Sequence, residues 1–355
     1  MNKFFADAEH VRPIGRSIFR DGIRYLSWSC SAVEFAFTGK TVSAEIWTDW
    51  VRDEPWKTMF QPQAAVFIDG KLSRRFAVSA GTKSYPIFES DTPKTVTVRI
   101  VKLSEAAFSK VGIASISSDG DIRPSALPAR RMEFIGDSIT CGFGIEGKSA
   151  GERFSTKTEN PCKTYAALTA ERFGAEYNLI SWSSIGVYSS SCGEEADKPA
   201  NGWIMPMLYD YTDIGIENIL GTEPEPWDFK RFVPDVIVIN LGTNDSSFTR
   251  NFPDRIGEFK KAYGDFLRHI REKNPAAYII CALGMMGDEL GGRLFPAIDK
   301  AVAETGDKKI FSLELDEQRT ADGIGCENHP NEVTHRKAAE KLAEKVSEIT
   351  GWGWK

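Results

Sequence analysis

The sequence lacks any apolar stretch long enough to cross a membrane, which takes about 20 consecutive residues. Its longest apolar runs, such as residues 236–241, have the length of a strand. The first ten residues also lack the apolar core of a secretion signal. The sequence therefore predicts a cytoplasmic protein with no transmembrane helix.

Cysteine and histidine are scarce. The six cysteines are scattered without a Cys-x-x-Cys pair, and the four histidines form no cluster with them at zinc spacing. A zinc ribbon and a disulfide scaffold are thereby excluded, and free thiols are the expectation. A disulfide between Cys141 and Cys326 is the alternative to two free thiols.

An excess of positive charge is also missing. The 44 Lys and Arg residues against 50 Asp and Glu residues give a net charge of −6 at pH 7. A protein whose main task is to bind nucleic-acid phosphates or an anionic membrane needs the opposite sign. The sequence therefore predicts neither nucleic acid nor membrane as a partner, and it leaves the oligomeric state open.

The pattern of apolar residues changes near residue 120. Before that point apolar residues alternate with polar or small ones, as at Val33, Phe35 and Phe37, and turn signals separate the runs. This predicts an antiparallel, jelly-roll-like β-sandwich over residues 1–120. A polar, proline-containing linker at 121–130 and a second domain at 131–355 follow.

In the second domain, strand-like runs alternate with helical ones. The strands are expected at 132–135, 177–180, 236–241, 278–283 and 310–315, and the helices at 164–173, 255–272, 295–304 and 331–349. Near-continuous Ile, Val and Leu residues are typical of parallel strands covered on both faces. The pattern predicts a doubly wound α/β domain, in which functional residues follow the carboxyl ends of the strands.

Three of these strands end in residues suited to acyl transfer. Ser138, in Gly-Asp-Ser, follows the first strand at a strand-to-helix turn, where a nucleophile is commonly placed. A serine-rich block follows the second strand, and Asn244 follows the third. The Asn244 amide can direct an N–H at a developing oxyanion. Asp137 and Asp245, beside them, are interpreted as carboxylates that order their loops.

A nucleophilic serine needs a base, and four histidines are available. His10 lies in the N-terminal segment, and His269 lies in the middle of a predicted helix. His335 lies well inside the last helix and is interpreted as a surface or interhelical residue. His329 stands in the loop before that helix, after the fifth strand. Elimination leaves His329 as the best candidate for the base.

Gly-Asp-Ser, Gly-x-Asn-Asp and His-Pro, in this order and each after a strand, resemble the SGNH (also called GDSL) hydrolase superfamily. The resemblance extends further. The N-terminal β-sandwich and residues 136–142, 205–210 and 240–245 are similar to carbohydrate esterase family 2. It covers nearly the whole chain. It implies a β-sandwich followed by a three-layer α/β hydrolase domain, and removal of acetyl groups from sugar hydroxyls.

Residue by residue, the resemblance implies Ser138 as the nucleophile and His329 as the general base and then acid. The implied oxyanion hole combines the Ser138 backbone N–H, a backbone N–H from Ser184 or Gly186, and the Asn244 side chain. No metal or organic cofactor is implied. The implied partner is an acetylated manno-, xylo- or gluco-configured oligosaccharide, with the 6-hydroxyl as one position of attack.

The sequence departs from the family pattern at three positions. Cys326 stands three residues before His329, where superfamily members commonly have the Asp that orients the imidazole. Either the Glu327 carboxylate or a main-chain carbonyl must then fix the tautomer. Ser184 replaces a usual glycine, and Asn328 replaces a frequent aromatic residue, which removes one expected sugar-stacking contact.

Three further features have competing interpretations. Trp182, Tyr188 and Trp203 are candidates for sugar stacking, although aromatic residues near a sheet edge are core residues at least as often. Residues 142–147 match Gly-x-Gly-x-x-Gly, the signature of a dinucleotide-binding oxidoreductase, but the match begins six residues after Gly136 instead of ending the strand. The sandwich also permits a carbohydrate-binding protein without catalysis.

Overall fold

A computed structural model describes residues 1–287 and 292–354. The chain divides into two compact units. The first comprises Met1–Leu127, Ser155–Lys157 and Tyr211–Glu225, and the second comprises Pro128–Phe154, Thr158–Asp210 and the chain from Pro226 onward. No helix in the described part of the chain has both the length and the apolar character needed to span a bilayer.

The first unit is an antiparallel β-domain with one short α-helix, Ile214–Leu220, from the 211–225 segment. Its strands are β1 (Asn2–Phe4), β2 (Arg12–Ile14), β3 (Ser17–Arg20), β4 (Ile23–Leu26), β5 (Ala32–Thr48), β6 (Gln63–Ile68), β7 (Lys71–Ala77), β8 (Lys83–Lys102), β9 (Val111–Ser118) and β10 (Ile122–Pro124). The main path of the sheet runs β3-β4-β9-β5-β8-β6-β7, with β1 on β9 and both β2 and β10 on β5.

The two longest strands give this sheet its curvature. β5 and β8 pair along most of their length, with register shifts between Gly39 and Thr41 and between Val42 and Ser43. Before the first shift β5 also pairs with β2 and β10, and after it with β9. Such irregularities bend a strand and increase its twist. The predicted antiparallel β-domain is confirmed, as one sheet curled around a buried apolar cluster.

The boundaries of this unit differ from those predicted. Residues 122–124, placed in a linker by the sequence, form strand β10 and pair with β5. Residues 155–157 and 211–225, placed in the second domain, belong to the first unit. They are separated from the rest of the unit in the chain, so local pattern carries no sign of where they pack.

The second unit is a five-stranded parallel sheet flanked by helices. Its strands are β11 (Arg131–Gly136), β12 (Glu176–Ser181), β13 (Val236–Asn240), β14 (Tyr278–Leu283) and β15 (Ile310–Glu314), in the order β12-β11-β13-β14-β15. In the described part of the chain the α-helices are α1 (Ser138–Cys141), α2 (Tyr165–Arg172), α3 (Met205–Leu208), α4 (Ile214–Leu220, in the first unit), α5 (Thr243–Thr249), α6 (Pro253–Lys273), α7 (Phe295–Thr305) and α8 (Glu332–Thr350).

This sheet agrees with the predicted α/β fold. β12 and β13 are buried at every position, as expected of strands covered on both faces. β11 occupies the middle of the β12-β11-β13 trio, so the residues after these three strands meet at one edge of the sheet. That edge carries the Gly-Asp-Ser turn, the serine-rich block and Asn244.

The last helix begins at Glu332, one residue later than predicted. Asn331 caps it by accepting the N–H groups of Val333 and Thr334. His335 is buried and its Nδ1 accepts the Tyr165 N–H at the start of α2, at 3.0 Å. Burial lowers the pKa of His335 to about 3. The neutral imidazole therefore joins α2 to α8, and the interhelical interpretation of His335 is the one the structure supports.

Candidate active site

Ser138 is the first residue of α1, directly after β11. Asp137 caps this helix by accepting the Ile139 N–H at 3.0 Å. Gly136 is required because a Cβ there would lie 2.0 Å from Thr140 Oγ1. The tight strand-to-helix turn therefore places the Ser138 side chain, which is 7% exposed, at the carboxyl edge of the sheet.

His329 closes the short 3₁₀ turn Cys326–Asn328 that precedes α8. Its Nε2 lies 2.9 Å from Ser138 Oγ. Its Nδ1 lies 3.0 Å from the main-chain oxygen of Glu327. A carbonyl oxygen only accepts, so Nδ1 carries the proton and Nε2 presents a lone pair to the serine hydroxyl. The three other histidines are engaged elsewhere: His10 with Asp7, His269 with Asp210, and His335 with the Tyr165 N–H.

Glu327 supports the imidazole with its backbone. Its φ is +48°, in the left-handed region, and Asn328 follows at +61°. The Glu327 carboxylate turns away from His329 and accepts the Phe154 N–H at 3.1 Å. Of the two orienting groups that the sequence left open, the carbonyl is the one in contact with the ring. Glu327 therefore orients the imidazole, as one of the two alternatives had it, through its main-chain oxygen.

The loop that carries His329 packs against the glycine-rich segment 142–147. The Cys326 N–H donates to Gly144 O at 3.0 Å. A Cβ on Gly144 would lie 2.7 Å from Cys326 Cβ, and one on Gly147 would lie 2.4 Å from Cys326 Sγ. The glycines thus allow two backbones to approach closely, which accounts for the Gly-x-Gly-x-x-Gly match without a dinucleotide. Neither Cys326 nor Cys141 is part of a disulfide bond.

Burial dominates the electrostatics of His329. The surrounding protein lowers the pKa of the imidazole, because burial disfavours the protonated form more than the Glu327 carbonyl and carboxylate favour it. The ring therefore stays neutral, and able to accept a proton, to a lower pH than an ordinary histidine.

Asn244 lies at the start of α5, after β13, and its side chain lines the same cavity as Ser138. Its Nδ2 donates to Asp137 Oδ2 at 3.1 Å and to the Ile185 carbonyl at 3.0 Å. These two acceptors fix the orientation of the amide. Donation to a bound oxyanion therefore requires the amide to share or exchange one of them.

Of the two candidate donors in the second block, Ser184 faces the cavity. Ser184 has a φ of +65°, which explains why a glycine suits this position. Gly186 does not line the cavity. It packs so closely that a Cβ would lie 2.0 Å from Ser189 O.

The two buried carboxylates order the loops, as predicted from the sequence. Asp245 accepts the N–H groups of Val187, Tyr188 and Ser189 at 2.7–3.1 Å. Asp137 caps α1 and holds the Asn244 amide. Burial raises the pKa of Asp137 to about 7, with Asp245 adding to the rise, and burial raises that of Asp245 to about 6.

The predicted sugar-stacking residues lie elsewhere. Trp182 and Trp203 pack edge to face with ring centroids 5.2 Å apart. Tyr188 donates to the Glu258 carboxylate and leans on Phe248. Among the described residues that line the Ser138 cavity, Trp182, Tyr188 and Trp203 are absent. The structure places all three in packing contacts.

Phe143 is an aromatic residue that does line the cavity, and the sequence did not point to it. Its ring stacks on Phe154 at 3.6 Å and leans on His329 at 4.4 Å, centroid to centroid. The cavity has a volume of about 540 Å³, and its other described lining residues are mostly hydroxyl and amide side chains. One feature of the sequence could have pointed to Phe143: it lies within the glycine-rich segment, two residues after the end of the helix that begins at Ser138.

Comparisons with known families agree with this geometry. Residues 13–128 match the family described as Carbohydrate esterase 2 N-terminal. Residues 134–337, more than half of the chain, match the GDSL-like Lipase/Acylhydrolase family. Among the described residues, no group of His, Cys, Asp or Glu side chains lies close enough together to hold a metal ion.

Individual proteins are similar along nearly the whole chain. Cellulase/esterase CelE of Acetivibrio thermocellus is 32% identical over 332 residues, which cover 92% of this chain but only 38% of that protein. An acetylxylan esterase / glucomannan deacetylase of Cellvibrio japonicus is 25% identical over 98% of this chain and 91% of its own length. The structure of a family two carbohydrate esterase from Clostridium thermocellum in complex with cellohexaose is 29% identical, covers 97% of this chain and 100% of that one, and has a TM-score of 0.85.

Proposed function

Because the chain belongs to carbohydrate esterase family 2 and carries a GDSL-like hydrolase domain, we propose that it is a serine esterase that removes O-acetyl groups from acetylated oligosaccharides. The observation that carries the proposal is the contact of 2.9 Å between Ser138 Oγ and His329 Nε2, with Nδ1 held by a carbonyl. This is the nucleophile–base–orienter arrangement of acyl transfer.

The reaction proceeds in two halves. Ser138 Oγ attacks the acetyl carbonyl carbon while His329 Nε2 takes the hydroxyl proton, and the imidazolium then gives that proton to the departing sugar oxygen. Water, deprotonated by the same imidazole, next cleaves the acetyl-serine to acetate. The Glu327 carbonyl keeps Nδ1–H in place throughout, so one ring nitrogen performs every proton transfer.

The negative charge on the carbonyl oxygen develops beside the donors after β11, β12 and β13. The Ser138 backbone N–H, the Ser184 backbone N–H and the Asn244 amide are the donors assigned to it, since all three residues line the cavity. A positioned donor contributes more in a site that excludes water than it does in solution. Asp137 and the Ile185 carbonyl orient the amide, which shares or exchanges one of these two hydrogen bonds when it donates to the oxyanion.

Asn244→Ala is expected to lower kcat by roughly 10²- to 10³-fold with little change in KM, as for loss of a donor that binds the transition state. Steady-state kinetics on an aryl acetate and on an acetylated sugar measure the effect. Ser247→Ala, which removes a hydroxyl bonded to the Asn244 backbone carbonyl, is the control for disturbance of α5. An increase in KM alone would make Asn244 a substrate-positioning residue instead.

Glu327→Gln is expected to change kcat by less than about tenfold, because a carboxamide oxygen still accepts the Phe154 N–H and the carbonyl beside His329 is unchanged. Glu327→Val should cost more, since a β-branched residue disfavours the left-handed backbone at this position. Parallel kinetics of the two variants check the order. A loss above about 10³-fold in Glu327→Gln would assign the orienting role to the carboxylate.

The acidic limb of the kcat/KM profile is expected below pH 6.5, the ordinary pKa of histidine. His329 must be neutral to accept the serine proton, and burial keeps it neutral to lower pH; activity falls only once the ring protonates. Asp137→Asn is the control, because it removes the carboxyl whose pKa lies at about 7 and retains a capping side chain. A limb at or above pH 6.5 in that variant would contradict the assignment.

Short acetylated oligosaccharides fit the site better than polymers. The cavity of about 540 Å³ is within the usual size range of small-ligand sites. Phe143 is its aromatic lining residue, and Asn328 stands where family members often have another. The relatives described as acetylxylan esterase / glucomannan deacetylase support manno- and xylo-configured sugars, and the cellohexaose complex supports gluco-configured ones.

Release of acetate from acetylated manno-, xylo- and gluco-oligosaccharides, compared with the corresponding polymers, tests this function. The expected result is a higher kcat/KM on the oligosaccharides. Equal efficiency on the polymers would overturn the preference for short substrates and leave the esterase in place. Absence of acetate from all of them, with active turnover of an aryl acetate, would overturn the assignment of sugar substrates.

A further inference from the structure

A second aromatic pocket lies in the first unit. It is formed by Trp56, Phe60 and Phe108, with Asp49 and Lys57 at its polar edge, and we call it the Trp56 pocket. Its volume is about 230 Å³. All of its residues belong to the first unit.

The rings of this pocket form a corner. Phe60 stacks on Phe108 with centroids 4.7 Å apart, and Trp56 stands edge-on to Phe60 at 83° and 6.0 Å. Trp56 nevertheless leaves 57% of its surface in water. An exposed indole at the mouth of an apolar corner forgoes the free energy of burial, which is typical of a surface that binds a ligand.

The pocket is fixed in place before any ligand arrives. The 3₁₀ turn Pro55–Phe60 carries Trp56 and Phe60, and Trp50 Nε1 donates to the Lys57 carbonyl of this turn at 3.0 Å. The Thr156 N–H donates to Met59 O at 2.8 Å. Binding to such an anchored turn loses little conformational entropy.

Polar groups flank the aromatic corner on one side. Lys57 Nζ lies 5.8 Å from the Trp56 ring centroid and pairs with Asp53 at 2.7 Å. Asp49 Oδ1 accepts the Lys110 N–H at 2.7 Å, which holds that carboxylate at the pocket. A ligand suited to this site therefore has a flat apolar face for the rings and hydroxyl groups at its edge for the charged side chains.

We propose that the Trp56 pocket is a non-catalytic binding site for a pyranose ring of the oligosaccharide chain. A pyranose presents C–H groups on its faces and hydroxyls around its rim, which is the combination that the pocket matches. The volume is below the roughly 300 Å³ at which pockets for drug-sized ligands begin, so the site takes one ring rather than several. The choice of a sugar as ligand rests on the proposed function.

Binding of unacetylated hexasaccharides to the full chain tests the site independently of deacetylation. Cellohexaose, mannohexaose and xylohexaose are titrated calorimetrically into the wild-type chain and into Trp56→Ala, Trp56→Phe and Trp354→Ala. Trp354 is a matched tryptophan control, 40% exposed and remote in sequence. Turnover of an aryl acetate is measured on every variant.

Trp56→Ala is expected to weaken binding of at least one hexasaccharide about tenfold or more, Trp56→Phe to weaken it less, and Trp354→Ala to leave it unchanged. Aryl-acetate turnover should stay at the wild-type level in all three variants. The proposed binding site would be wrong if the wild type and Trp56→Ala bound the hexasaccharides equally well. It would also be wrong if the wild-type chain bound none of them. Failure to release acetate from sugars while Trp56-dependent binding persists would overturn the proposed function alone.

Discussion

Replacing Ser138 with alanine is expected to lower kcat on both aryl acetates and acetylated oligosaccharides by on the order of 10⁴-fold or more. The substitution removes Ser138 Oγ, which lies 2.9 Å from His329 Nε2. Among the described residues, no other hydroxyl forms a hydrogen bond with this imidazole. The backbone of the turn is held by Gly136 and by the Asp137 cap, so the fold should persist. Thermal unfolding of the variant should therefore match that of the wild type.

Ser183→Ala is the matched control for this prediction. Ser183 lines the same cavity but belongs to the loop after β12, and its loss should change kcat by less than about tenfold. Retention of more than a few per cent of activity in Ser138→Ala, at unchanged stability, would show that another residue is the nucleophile.

His329→Ala should be nearly as severe, with a loss of on the order of 10⁴-fold in kcat, because the serine hydroxyl then has no base. The double variant Ser138→Ala/His329→Ala should be scarcely slower than either single variant, since the two residues act as one unit and their losses do not add. Kinetics of the three variants measure this coupling. Losses that multiply in the double variant would mean that the two residues act independently.

Much of the fold follows from local patterns. Continuous Ile and Val residues predicted β13, and the helical pattern over residues 331–349 predicted the start of α8 within one residue. The membership of residues 155–157 and 211–225 in the first unit was not predictable in this way. It depends on contacts between segments distant in the chain, and such contacts leave no periodic signal in the sequence.

The site was predictable where side-chain chemistry decides the role. Ser138, Asn244 and His329 each follow a strand, and the sheet brings their side chains to one edge. The contribution of Glu327 was open because it depends on the left-handed backbone at +48°, which exposes a carbonyl rather than a carboxylate to the imidazole. Phe143 was missed because its stacking on His329 depends on how two loops fold together.

Two aromatic residues were assigned a role in sugar binding that the structure does not give them. Trp182 and Trp203 follow the second strand of the sheet, where sugar contacts were expected, yet the two rings pack against each other. Large aromatic rings gain free energy from burial as readily as from ligand contact. Only the surrounding side chains decide which use a given ring has.

The most direct test of the central claim, that Ser138 is a nucleophile activated by His329, is labelling with a fluorophosphonate followed by peptide mass spectrometry. This reagent leaves a stable phosphonyl group on an activated serine. We expect one adduct, on the peptide that contains Ser138, formed in parallel with loss of esterase activity and strongly reduced in His329→Ala. An adduct on another serine of the cavity, or loss of activity with Ser138 unmodified, would contradict the account.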